Sequence, residues 1–163
     1  MSRATSPVRS RCVSVLVEDP VWRRTMPKLV STVRKAGSLT LQKGSNARVG
    51  NLTILLTNDE RVRALNTQFR GKDKPTDVLS FPSGAGDYLG DVAIAYGVAS
   101  REAESDGKTL AEHVAHLAVH GVLHLLGYDH ERASEAEIME SIETQILAEL
   151  GIPNPYDRRK RAA

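Results

Sequence analysis

Cysteine is nearly absent: Cys12 is the only one in 163 residues, so no intramolecular disulfide can form and nothing asks for an oxidising compartment. A reduced cytoplasm is the simplest home. Aromatic residues are also scarce, with two Phe, one Trp and four Tyr, which argues against recognition by extensive base stacking. Long apolar runs are missing. The best candidates, residues 13–17 and 52–56, are strand-sized and far below the roughly 18 residues that span a bilayer, which excludes a helical membrane protein. Residues 13–17 are too short for a secretory apolar region and run straight into Glu18 and Asp19. Residues 1–11 contain no acid and are basic and Ser-rich. They read as a flexible N-terminus, with an organelle transit peptide as the alternative.

What is present fits one folded domain over residues 12–157, followed by a basic tail at 158–163. Hydrophobic residues are 40% and charged residues 26% of the chain, which suits neither a disordered nor a fibrous protein. The net charge of +2 hides an asymmetry. Residues 1–74 hold 15 Lys/Arg against 5 Asp/Glu, and residues 75–163 hold 7 against 15. If the basic half folds onto one face it makes a footprint for a polyanion; otherwise the halves neutralise each other across an ordinary surface.

The expected elements follow from periodicity and punctuation. Residues 12–18 read as a strand. Asp19-Pro20 starts a helix whose apolar positions Trp22, Met26, Leu29, Val30 and Val33 recur up to Gly37. Residues 38–50, rich in Gly, Ser and Lys, read as a loop or ragged strand. Residues 51–57 form a buried strand, and Asn58 caps a helix carrying Val62, Leu65 and Phe69. Pro75 forces a loop over residues 71–75. Residues 77–81 and 89–96 form a hairpin, and three helices follow at 98–105, 109–126 and 134–150. Gly127 and Gly151 stop the last two, and Ser134 with Glu137 has the pattern of a capping box. In the last helix, Glu135, Glu137, Glu140, Glu143 and Glu149 read as a solvated face opposite Ile138, Ile142 and Ile146. Four strands and about five helices in this order give an α+β (mixed α/β) fold with a single sheet packed by helices.

All five histidines lie between positions 113 and 130. On a helix His113, His116, His120 and His124 share a sector of about 80°. His120 and His124 are one turn apart and can face one cation, and the chain reversal at Gly127 delivers His130 as a third ligand. Three neutral nitrogen donors suit Zn²⁺ with an open position, the arrangement of a catalytic site, although nickel, copper and iron also accept imidazole. The string HGVLHLLGYDH follows the metzincin spacing, but Gly121 stands where those proteases carry the glutamate that takes a proton from water. Proteolysis by the usual route is therefore disfavoured. Asp129 either assists the centre or bonds local backbone. His113 and His116 either support the site or pack within the helix as satisfied residues.

Arg70, Lys72 and Lys74 crowd the loop before a strand. A phosphodiester needs positive charge on its non-bridging oxygens as negative charge builds at phosphorus, and a guanidinium supplies it in bidentate fashion. Zinc would polarise a phosphate oxygen or activate a water, Arg70 would neutralise charge at the scissile phosphate, and the lysines would guide the strand.

The segments LNTQFRGKDKPTDVLSFP (65–82), LGDVAIA (89–95) and HGVLHLLGYDH (120–130) resemble the signature blocks of the YbeY family of metal-dependent, single-strand endoribonucleases. The match runs in order over about residues 50–157. The resemblance implies zinc on His120, His124 and His130 and a functionally important Arg70; with the residue chemistry above, the candidate catalytic residues are Arg70 and His120 and the candidate substrate-binding residues are Arg70, Lys72 and Lys74. It implies action in 3′-end maturation of small-subunit rRNA, ribosome biogenesis and ribosome quality control. It further implies contacts with a small-subunit ribosomal protein and an assembly GTPase. The implied fold is a metzincin-like core with a cleft between an edge strand, taken as residues 89–95, the histidine face and the Arg70 loop. The competing readings are a non-catalytic, metal-stabilised ribosome-assembly factor and, less favoured, a metzincin-like metalloprotease.

Overall fold

The computed structural model describes residues 12–44, 50–84 and 86–157; the expected N-terminal segment 1–11 and basic tail 158–163 lie outside them. Alternation writes the sheet. In β2 (Asn51–Thr57), Leu52, Ile54 and Leu56 are fully buried on one face, while Leu55 packs on the other against a second, smaller apolar cluster. β2 pairs in parallel with β1 (Val13–Val17) and with β4 (Tyr88–Ala95), and β3 (Val78–Pro82) closes the sheet antiparallel to β4. The order is β1-β2-β4-β3. Parallel neighbours need crossovers, and the helices supply them.

Six helices are formed among the described residues: α1 (Val21–Thr25), α2 (Leu29–Lys43), α3 (Asp59–Arg70), α4 (Tyr96–Ser105), α5 (Leu110–Leu125) and α6 (Ala133–Glu149). The mixed α/β class and the four-stranded sheet are as expected. The helix foreseen from Pro20 to Gly37 is instead two. Met26 precedes Pro27 and sits at φ −145°, ψ 87°, outside the helical region that a residue before proline avoids. Asp19 still serves that start, since its Oδ1 accepts from the Val21 amide at 3.0 Å. α2 then runs past Gly37 to Lys43, into the first part of the stretch 38–50 expected to be loop, of which 45–49 lie outside the described residues. Gly37 is no stop: a Cβ there would stand 3.1 Å from both Ile54 and Val13 side chains, so its small size lets α2 lie close on the sheet.

α5 is the central helix, packed against β3 and β4 on one side and α2, α4 and α6 around it. Ten of its residues are buried, and Val114, Ala118, Val122 and Leu125 fill the space below the sheet. Full burial of one such Val or Leu side chain is worth about 1.5–3 kcal/mol, so α5 anchors the main core. α3 covers the opposite face, where Val62 and Leu65 meet Leu79, Ala93 and Ala95. Asn58 caps α3 as expected, its Oδ1 accepting from the Arg61 amide at 2.8 Å. The capping box expected at Ser134 does not form. Arg132 is the cap residue and Ser134 already lies inside α6. No described helix is long and apolar enough to cross a membrane.

Candidate metal centre

The backbone brings the three expected ligands together. His120 and His124 lie on the last turns of α5, whose end is closed by Gly127 at φ 101°, with the Gly127 and Tyr128 amides bonded back to His124 and Leu123 carbonyls at 3.0 Å. That left-handed residue reverses the chain and returns exposed His130 to the helix end. One ring nitrogen from each of His120, His124 and His130 lies within 4.8 Å of the others, and the Nε2 atoms of His120 and His124 are 3.1 Å apart. Two nitrogens bound tetrahedrally to one zinc at 2.0–2.1 Å would stand about 3.3 Å apart, so the residues fit the ion. Burial, reinforced by His120 and His130, pushes His124 down to about 4, which keeps its ring neutral and able to bind a cation at neutral pH.

A residue placed on the solvated face by sequence reasoning turns out to organise this centre. Glu143 of α6 is fully buried: Oε1 accepts from His120 Nδ1 at 2.6 Å and Oε2 from His116 Nε2 at 2.7 Å. The Tyr156 hydroxyl also donates to Oε2. Burial alone would raise this carboxyl, but the hydrogen bonds from His116 and His120 outweigh it and hold Glu143 at about 2. An ionised carboxylate only accepts, so His120 carries its proton on Nδ1 and presents the Nε2 lone pair to the cation. The apolar stripe of α6 is rotated accordingly. Ile138 is 56% exposed, while Met139, Ile146 and Leu147 are buried. The signal in the sequence was that Glu143, Met139, Ile146 and Leu147 recur at helical spacing, with the glutamate inside the apolar set.

Arg70 ends α3 and lines the same cavity as His120, His124 and His130, a space of about 580 Å³. Lys72 and Lys74 are exposed on the adjoining loop and do not line that cavity. The strand expected to wall the cleft is corrected. β4 lies inside the sheet between β2 and β3 and has no edge to offer, and it is Val78, Ser80 and Pro82 of edge strand β3 that line the space.

Gly121 faces the sheet. Its carbonyl accepts from Ser80 Oγ at 2.9 Å, and a Cβ would stand 2.5 Å from Val92 Cγ1. The position that carries a protease's glutamate has no room here for any side chain. Asp129 bonds local backbone, accepting from the His130 amide at 2.7 Å. His116 Nε2 is held by Glu143, with the Tyr156 hydroxyl also 3.2 Å away, while its Nδ1 is buried without a partner. His113 is not satisfied: it is buried and neither ring nitrogen has a hydrogen-bond partner.

The family model described as "Endoribonuclease YbeY" matches residues 18–151. A protein named Endoribonuclease YbeY from Rhodopseudomonas palustris is 44% identical over 157 residues, covering 91% of this chain and 83% of its own. Its namesake from a Bradyrhizobium species is 49% identical over 159 residues, covering 90% and 93%. The solution structure of TM1509 from Thermotoga maritima superposes with a TM-score of 0.58 at 25% identity, covering 85% of this chain and 91% of that one. Sequence blocks, fold and histidine geometry lead to the same place, and the chain belongs to the endoribonuclease YbeY family.

Proposed function

We propose that this chain is a zinc-dependent, single-strand-specific endoribonuclease that acts in the cytoplasm on the 3′ end of small-subunit rRNA, in ribosome biogenesis and quality control. The observation that carries the reading is one cavity lined by both Arg70 and the three histidines, in a chain with no room for a proteolytic glutamate at Gly121. His120, His124 and His130 would hold the zinc, which when bound supplies Lewis-acid polarisation. The chain's own groups do the rest. Glu143 keeps the His120 proton on Nδ1. The Arg70 guanidinium neutralises charge building on the non-bridging phosphate oxygens. Lys72 and Lys74 draw the strand in electrostatically, so binding weakens steeply with salt. Family membership supports an RNA substrate, with a small-subunit ribosomal protein and an assembly GTPase as partners.

The test is incubation of purified, zinc-loaded protein with a defined single-stranded RNA, its duplex and a peptide library, with the product ends mapped. Endonucleolytic cuts confined to the single strand are expected. Peptide cleavage without RNA cleavage would favour the protease reading. The mapped ends tell whether water or the RNA 2′-hydroxyl attacks.

A further inference from the structure

Beside the histidine centre the fold builds a second convergence of donors. Asp77 immediately before β3, Glu102 on α4 and His113 on α5 each bring one donor atom within 4.8 Å of the others. They line a cavity of about 840 Å³ that shares Asp77, Val78 and His120 with the one at the zinc ligands.

Three features of this cluster are unexplained by packing. His113 is 5% exposed, yet neither of its ring nitrogens has a hydrogen-bond partner, and Glu102 Oε1 is likewise buried and unpaired. Its nearest approach to Glu102, Nε2 to Oε2, is 3.7 Å, too long for a hydrogen bond. Roughly nine in ten buried polar groups are paired, so an imidazole with both nitrogens orphaned against two carboxylates marks a place where something binds. The electrostatics agree. Burial and the charge of Lys108 hold His113 down at about 4, leaving a neutral ring, and burial and the charge of Asp77 push Glu102 up to about 7. Two carboxylates this close resist joint ionisation unless a cation lies between them.

We propose that Asp77, Glu102 and His113 form a second divalent-cation site, distinct from the histidine triad. Two carboxylate oxygens and one imidazole suit a Mn²⁺-type ion and leave positions for water or a phosphate oxygen. The site also answers a difficulty for a polyanionic ligand. Among the described residues that line the cavity, Asp77, Glu102 and Asp106 stand against one Lys or Arg, Lys108, and a strand following the shared wall away from His120 would meet net negative charge. A bound divalent ion turns that stretch into one that accepts phosphate.

The inference concerns Asp77, Glu102 and His113 alone, so it stands or falls independently of whether the chain cuts RNA. The experiment is a Mn²⁺ titration of the full-length, zinc-loaded protein, with free Mn²⁺ counted by its electron paramagnetic resonance signal. Wild type is expected to withdraw one equivalent. Glu102→Gln and His113→Gln should each weaken that binding by at least about tenfold. His124→Ala, prepared without zinc, should keep it. Glu102 is only partly buried, so its variant tests the site even if the His113 variant fails to fold. No Mn²⁺ bound by wild type, with a carboxyl titrating near neutrality, would mean the carboxylates share a proton only and would overturn the proposal. Equal Mn²⁺ affinity in wild type and Glu102→Gln would overturn it too.

Discussion

Glu143 Oε1 lies 2.6 Å from His120 Nδ1, joining α6 to α5 through a buried, ionised carboxylate. This bond fixes the tautomer and plane of the ring whose other nitrogen faces His124. Glu143 is thus a positioning residue, acting through His120 and bracing His116 with its other oxygen.

Glu143→Gln is expected to lower zinc affinity about 10–100-fold, because an amide stabilises the ligating tautomer less well. Glu143→Ala should also cost several kcal/mol of stability, since two imidazoles and the Tyr156 hydroxyl lose their partner. Competition against a chromophoric chelator and urea unfolding measure the two effects. Unchanged zinc affinity in Glu143→Gln would show that the contact only packs α6.

Chelation is expected to abolish RNA cleavage while leaving a cooperatively folded protein. The core beneath the sheet, from Leu52, Ile54 and Val92 to Val122 and Leu125, closes without help from the metal. His120→Ala should behave alike, folded and inactive, with far-ultraviolet circular dichroism retained. Unfolding on chelation would instead mark the metal as structural and favour the assembly-factor reading.

The buried strand at 51–57, the α5 stop at Gly127 and the convergence of His120, His124 and His130 were legible because each rests on a local pattern: alternation, a glycine after a helical run, and imidazoles one turn apart. What escaped was tertiary. Met26-Pro27 splits a helix whose apolar period continues across it, and Gly37 resembles a stop until it is seen against Ile54 and Val13. Glu143 looked solvated because a glutamate at an inward position has no local signature; its partners lie 23 and 27 residues away on another helix. The edge strand was misassigned because sequence order does not reveal that β3 folds back outside β4.

Gly121→Ala is expected to destabilise the protein by about 1–3 kcal/mol, as a Cβ 2.5 Å from Val92 Cγ1 forces α5 off the sheet. Gly121→Glu should unfold it further and yield no peptidase activity. Thermal melts and a peptide-library assay decide; a stable Gly121→Glu variant that cuts peptides would refute the packing argument.

His113 gives the metal-free protein an acid-sensitive element. Burial, then Lys108 and His116, holds its ring near 4 against the pull of Asp77 and Asp106. The unfolded chain takes up this proton near pH 6.5, so its contribution is complete above that pH and is lost as pH falls towards 4. The span corresponds to on the order of 3 kcal/mol. Glu102, raised to about 7 by burial and Asp77, works in the opposite sense. Urea midpoints are therefore compared between Glu102→Gln and Glu102→Gln with His113→Asn. The second should lose less stability on acidification; parallel curves would contradict the assignment.

The most direct test of the account is cleavage of a defined single-stranded RNA by wild-type and Arg70→Ala protein at matched zinc content. Arg70 is exposed at the end of α3 and lines the cavity of the three histidines. Its removal is therefore predicted to lower kcat about 10²–10³-fold, with zinc stoichiometry and unfolding midpoint unchanged. Undiminished cleavage by Arg70→Ala would contradict the account.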